Sequence, residues 1–192
     1  MTRPVLFIGG IPTAGKSTLA VQLAAECDGV VIHLDNWREE LRNDPALAGW
    51  VDFFWNQDEA AYWRDANPDD EWRHMVDQQE ALWPSLSARL KQAIYAKPTI
   101  VEGVSILPHF IATDFPGVPG LFLLGESLED TLKRNRERPR WSQDPAHQEY
   151  EARAFFEWEG PRLQAEADAY GYPAFRSQVQ ALEEARRFLT GG

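Results

Sequence analysis

Apolar positions along the chain fall into two alternating kinds of run. Short β-rich runs stand at Val5–Ile8, Val30–Leu34, Thr99–Val101, Gly120–Leu124 and Pro173–Phe175, separated by stretches in which apolar residues recur every three or four positions. The helical period is clear at Lys16–Glu26, where Leu19, Ala20, Leu23 and Ala24 share one face and Asp28-Gly29 supplies the turn that follows. Such alternation predicts an α/β domain, a parallel sheet with helices on both faces. The connection 36–98 is far longer than a crossover needs and must hold helices of its own. Within it Trp72, Met75, Val76, Leu82, Trp83, Leu86, Leu90, Ala93 and Ile94 mark one long amphipathic helix opened by Asn67-Pro68-Asp69, with a kink expected at Pro84.

Composition narrows the function classes. With 19 basic and 30 acidic side chains the formal charge is −11, so the chain repels polyanions and is not expected to bind nucleic acid or anionic membranes. No run is long and apolar enough to span a bilayer, and Met1 to Pro4 lead straight into Val5 with no room for a secretory signal. One cysteine, Cys27, can form no internal disulfide, and a cytoplasmic location is expected. His33, His74, His109 and His147 lack metal-ligand spacing; His33, near the end of its strand, is read as a packed residue. At 192 residues a single domain, 1–192, suffices.

The sharpest chemical signal is GGIPTAGKST, Gly9 to Thr18, in which Gly10, Gly15, Lys16 and Ser17 satisfy GxxxxGK[ST] between a strand and a helix. A loop that wraps a polyphosphate with its own N–H groups needs glycines where a Cβ would block the approach. The helix start offers free N–H groups and a positive dipole end. Lys16 is expected to bridge the β- and γ-phosphates and the Ser17 hydroxyl to take Mg²⁺, with Gly10, Thr13, Ala14, Gly15 and Thr18 completing the cradle for ATP. Ile11 and Pro12 stand where GxGxxG would need a glycine, which excludes the dinucleotide fingerprint.

Two acids fall at the carboxyl ends of strands, where ligands of open parallel sheets collect. Asp35 ends VVIHLD and serves either as a catalytic acid-base and substrate residue or as an N-cap; Glu102 ends TIVEG and serves either at the substrate or in bonding the phosphate loop. Arg38 follows Asp35 as a further substrate-binding candidate. Basic residues concentrate in LKRNRERPRW, Leu132 to Trp141. A helix Leu128–Glu137 would bring Arg134 and Arg138 to one face just before Pro139, and segment 133–146 is read as a lid rather than a solvated face. The insert holds six of the chain's eight tryptophans; of its aromatics Trp50, Phe53, Phe54, Trp55, Tyr62 and Trp63, most are expected to pack the insert onto the sheet, and a minority to wall an acceptor pocket.

At these residues the sequence resembles the P-loop small-molecule kinases, a group that includes nucleoside monophosphate, gluconate and shikimate kinases, chloramphenicol phosphotransferase and zeta toxins. GGIPTAGKST is similar to their Walker A loop, HLDNWR to their strand-two acid with its acceptor helix, and LKRNRERPR to the start of their lid. The resemblance implies a three-layer α/β/α fold with a five-stranded parallel sheet of order 2-3-1-4-5 and a helical acceptor-binding insert at 36–98. It implies Arg134 stacking on adenine, Arg138 on the phosphates, and Tyr170-Gly171-Tyr172-Pro173 leading to the last strand beside the base. The chain departs from the pattern at its third strand, where Val101-Glu102 replaces a Walker B aspartate. The expected function is ATP-dependent phosphorylation of a small molecule, at a hydroxyl with Asp35 as base. The alternatives are a nucleoside monophosphate kinase and an ATP-binding regulator or ATPase. Because acids outnumber cations in the insert, a neutral or cationic acceptor is favoured.

Overall fold

The structure, a computed structural model, describes residues 4–93 and 97–190. Met1–Arg3 and Ile94, the last position of the expected long helix, lie outside the described residues. Strands β1 (Val5–Gly10), β2 (Val30–His33), β3 (Thr99–Glu102), β4 (Gly120–Leu123) and β5 (Ala174–Phe175) form one parallel sheet of order β2-β3-β1-β4-β5. The order matches the sequence expectation. Leu6, Phe7, Ile8, Ile100, Val101, Leu121, Phe122 and Leu123 are fully buried, as central parallel strands covered on both faces must be.

Helix α1 (Lys16–Glu26) crosses from β1 to β2 and seats Leu19, Ala20 and Leu23 in the core. Strand β2 stops one residue earlier than its apolar run, because Leu34 already begins helix α2 (Leu34–Glu40). Between α2 and β3 come a 3-10 turn at Leu41–Asn43 and helices α3 (Ala48–Val51), α4 (Glu59–Asp65) and α5 (Pro68–Ala93). Pro84 lies within α5 without breaking it, although proline has no N–H to return to Glu80. The two halves of α5 do different work. Leu82, Trp83, Leu86 and Leu90 join the core, with Trp83 stacked on Phe110 at 4.5 Å and bonded through Nε1 to Asp114 at 2.7 Å. The first half instead buries the polar side chains Glu71, Gln78 and Gln79.

Beyond β3, helix α6 (Pro108–Asp114) leads to β4, and helix α7 (Leu128–Glu137) follows it, capped by Ser127. Helices α8 (Pro145–Arg153) and α9 (Gly160–Tyr170) are joined without a break by a π-helical segment, Ala154–Glu159, before β5 and the closing helix α10 (Gln178–Thr190).

The aromatics of the insert pack differently from the expectation. The insert joins the core through Val51 and through Leu82, Trp83, Leu86 and Leu90 of α5. Phe54, Tyr62 and Trp63 gather around Trp141, with ring centroids 6.1, 5.3 and 5.6 Å from it. The reason is geometric: Tyr62 and Trp63 stand on α4, which packs against α8, so their rings meet Trp141 in the loop between α7 and α8 rather than the sheet face.

Candidate active site

The phosphate loop is shaped by three residues in unusual backbone conformations. Gly10 has φ 138° and Gly15 φ 93°, and Thr13 adopts φ 63°. A Cβ on Gly10 would fall 2.2 Å from the Leu123 carbonyl oxygen, so β1 and β4 can approach only with glycine there. Gly15 caps α1 with no side-chain hydrogen bond, which leaves first-turn N–H groups free for an anion. The loop is braced from outside: Arg134 Nη1 donates to the Thr13 carbonyl at 3.0 Å and Gln178 Nε2 to the Ala14 carbonyl at 3.0 Å.

Lys16 is buried, and its Nζ donates to the Gly10 and Ile11 carbonyls at 2.9 and 2.7 Å. Burial brings its pKa down to about 8, opposed by the carboxylates of Asp35 and Glu102 and reinforced by Arg140. Ser17 Oγ donates to Glu102 Oε1 at 3.1 Å, and the same oxygen lies 2.6 Å from His33 Nδ1. The pairing follows from register, since β2 and β3 run side by side and place His33 opposite Glu102. His33, read from the sequence as a packed residue, is thus the partner of a site carboxylate and is part-exposed.

Asp35 sits in the first turn of α2 and is not its N-cap, a position held by His33. Its Oδ1 instead accepts the Val104 N–H at 3.2 Å. Gly103 makes room for this, because a Cβ there would come 2.9 Å from Asp35 Oδ1. Helix α2 is held against α5 by Arg89, whose guanidinium lies 4.0 Å over the Trp37 ring and 2.5 Å from Glu40.

A cavity of about 330 Å³ opens beside the loop. It runs from Gly10, Ile11 and Pro12, past Asp35 and Arg38, to walls that include Trp63, Trp72, Trp141 and Phe155. Arg140 lines it and Arg138 does not. The expected Arg134–Arg138 face does not form because α7 ends at Glu137: Arg138 has φ −140° and ψ 80°, outside the helical region that a residue before proline avoids, and its side chain is exposed. Thr18 is exposed on α1, and Thr13 Oγ1 is buried without a hydrogen-bond partner.

Four cavity residues come from a stretch the sequence reading left aside: Glu151, Phe155, Glu159 and Leu163. They stand at every fourth position. In an α-helix four residues overshoot one 3.6-residue turn, so such a row drifts around the axis; the wider turn of the π segment keeps it aligned. The fourfold spacing of acids and apolar residues was the available signal. Glu151 accepts from Asn135 Nδ2 at 2.8 Å and the Trp141 N–H at 3.0 Å, while Glu71 accepts from the Tyr62 hydroxyl. Burial pushes all three carboxyls up: Glu71 to about 6, Glu151 above the usual range and Glu159 well above it.

The loop geometry fits a nucleoside triphosphate, since its free N–H groups, its buried lysine and the orphaned Thr13 hydroxyl all face a polyphosphate's needs. Ser17 and Glu102, oxygen donors side by side, fit Mg²⁺.

No protein-family profile matches the sequence, and no curated protein matches it either. Solved structures do. The fold is similar to shikimate kinase from Acinetobacter baumannii in complex with shikimate, with TM-score 0.55 and 14% identity over 99% of this chain and 94% of that one. Shikimate kinase from Bacteroides thetaiotaomicron gives TM-score 0.56 and 13% identity over 98% and 99% of the two chains. A gluconokinase from Sinorhizobium meliloti 1021 gives 0.51 and 16% over 98% and 93%. Over its full length, therefore, this chain has the fold of the P-loop small-molecule kinases.

Proposed function

We propose that the protein is an ATP-dependent phosphotransferase acting on a hydroxyl of a small molecule bound in the aromatic cavity. One observation carries the reading: a single cavity joins the phosphate loop at Gly10–Pro12 to Asp35 and to an aromatic chamber. A donor phosphate in the loop and an acceptor in the chamber would therefore meet at Asp35, as in-line transfer requires.

In this reading Asp35 accepts the proton of the acceptor hydroxyl while that oxygen forms a bond to the γ-phosphorus. The bond from phosphorus to the β-γ bridging oxygen breaks, and ADP leaves. Lys16 and Arg140 flank the transferring group and take up its charge, a role that burial makes stronger for Lys16. Mg²⁺ arriving with the nucleotide would neutralise charge between the β- and γ-phosphates. Ser17 would hold it directly and Glu102 through its water shell, so that Glu102 fills the place of the missing Walker B aspartate. Arg134 and Gln178 keep the loop in shape, and Arg38 closes the acceptor side.

The test is acceptor-stimulated ADP release across alcohols, sugars, aminoglycosides, nucleosides and nucleoside monophosphates, with mass detection of the phosphorylated product. A hydroxyl-phosphorylated product is expected. Transfer only to nucleoside monophosphates would replace the reading with a monophosphate kinase, and hydrolysis with no acceptor product would replace it with an ATPase.

A further inference from the structure

The inner end of the cavity carries an imbalance of charge that the loop chemistry does not use. Of its lining cations, Arg38 lies 3.6 Å from Glu39, and Arg140 faces the phosphate loop, where it opposes the charge of Lys16. Glu71, Glu151 and Glu159 line the same cavity with no cation bonded to them among the described residues. Two are satisfied by neutral donors, Glu71 by Tyr62 and Glu151 by Asn135 and the Trp141 N–H. Glu159 is not. It is only 6% exposed, has no hydrogen bond to another described residue, and lines the cavity. Lys16 does not serve it, since its ammonium is bonded to Gly10 and Ile11.

Two more buried polar atoms on the lining lack partners: Trp63 Nε1, on a side chain 6% exposed, and Gln79 Oε1, on one 2% exposed. A buried carboxylate left without donors is costly, and a ligand that brings a donor to it removes that cost. The same cavity is lined by Trp63, Trp72, Trp141 and Phe155, aromatic side chains of the kind that attract a cation through their ring quadrupoles. An anionic group would meet the carboxylates at close range, and a neutral polyol would leave Glu159 without a counter-charge.

We propose that the acceptor is an amine-bearing alcohol whose ammonium group sits between Glu71 and Glu159 inside the aromatic walls, with its hydroxyl toward Asp35. The hydroxyl's part rests on the phosphotransfer reading; the ammonium site does not. The charged groups acting on Glu159 from the elements packed around it are Glu71 of α5, Glu151 of α8 and Lys16 of α1, while α7 contributes the neutral Asn135 and α9 the apolar Leu163. Burial raises the Glu159 carboxyl well above the usual carboxylate range, and an ammonium beside it favours the ionised form and so opposes that shift.

Isothermal calorimetry on the full chain at pH 7 compares two charged probes, choline and 2-deoxystreptamine, with their uncharged counterparts 3,3-dimethylbutan-1-ol and myo-inositol. At least one amine is expected to bind about tenfold or more tightly than its counterpart. Glu159→Gln should weaken the amine about tenfold or more. The ATP Kd and the circular dichroism spectrum of that variant should stay at wild-type values, and Glu71→Gln repeats the test at the second carboxylate. Equal affinity for the neutral counterparts, no amine binding below about 10 mM, or unchanged amine affinity in both folded variants overturns the proposal. An amine bound with this signature but not phosphorylated by Mg-ATP overturns the phosphotransfer reading and leaves the ammonium site standing.

Discussion

The Ser17 hydroxyl donates a 3.1 Å hydrogen bond to Glu102, joining the first turn of α1 to the end of β3 across the floor of the site. In the proposed function the two strand-end acids divide the work, because Asp35 lines the cavity and accepts from Val104 instead. Glu102→Gln should therefore raise the Mg²⁺ concentration needed for half-maximal activity, with excess metal restoring much of the rate. Asp35→Asn should lower kcat by about a hundred- to ten-thousand-fold at every metal concentration. Titration of kcat with Mg²⁺ for both variants checks the division; the reverse pattern would exchange the two roles.

Lys16 gives the nucleotide site a pH limit. Its pKa is lowered to about 8 in the free protein, so the ammonium that phosphate requires is lost above that pH. ATP affinity should be flat below pH 7 and fall by about tenfold per unit above 8. Kd measured from pH 6 to 9.5 should show this break in the wild type. Lys16→Arg, charged throughout, should lack it, and Lys16→Ala should leave the fold intact while nearly abolishing transfer.

Arg140 and Arg138 are both exposed, and of the two Arg140 lines the cavity. Arg140→Ala should reduce kcat by about a hundredfold or more, with a smaller effect on ATP Kd, because its charge acts on the transferring group. Arg138→Ala, at an exposed position outside the cavity, should stay within a few-fold of wild type. Steady-state kinetics with any acceptor found by the product screen decides it. A large loss at Arg138 with none at Arg140 would restore the assignment expected from the helical spacing.

Glu159 costs stability at neutral pH. Its folded pKa is raised above its unfolded value, so the folded state holds the proton more tightly. The associated stability is full below about pH 4.5 and is lost as pH rises toward the folded pKa. Glu71 adds a smaller term of the same sign between pH 4.5 and about 6. Glu159→Gln removes the group that resists ionisation and should raise Tm at pH 8, by about 2–4 °C for each kcal/mol relieved, while changing Tm little at pH 4.5. Melting curves at the two pH values test the sign; a lower Tm at pH 8 would refute it.

The local sequence was enough for features whose cause is local. The strand-loop-helix around Lys16 follows from Gly10 and Gly15, whose dihedrals other residues rarely adopt, and the strands from apolar runs that only a doubly covered sheet can bury. Asp35 and Glu102 were legible as site acids because strand ends of a parallel sheet share one edge. Tertiary structure decided what depends on elements far apart in the chain. The choice of Arg140 over Arg138 turns on one residue's backbone before Pro139, and the pairing of His33 with Glu102 turns on the register of β2 with β3. The acceptor chamber is the clearest case. Glu71 from α5, Trp63 from α4, Trp141 from the loop after α7 and Glu159 from the π segment are drawn together by packing. No short-range pattern encodes that meeting, since each residue alone is only an acid or a ring on one turn of a helix.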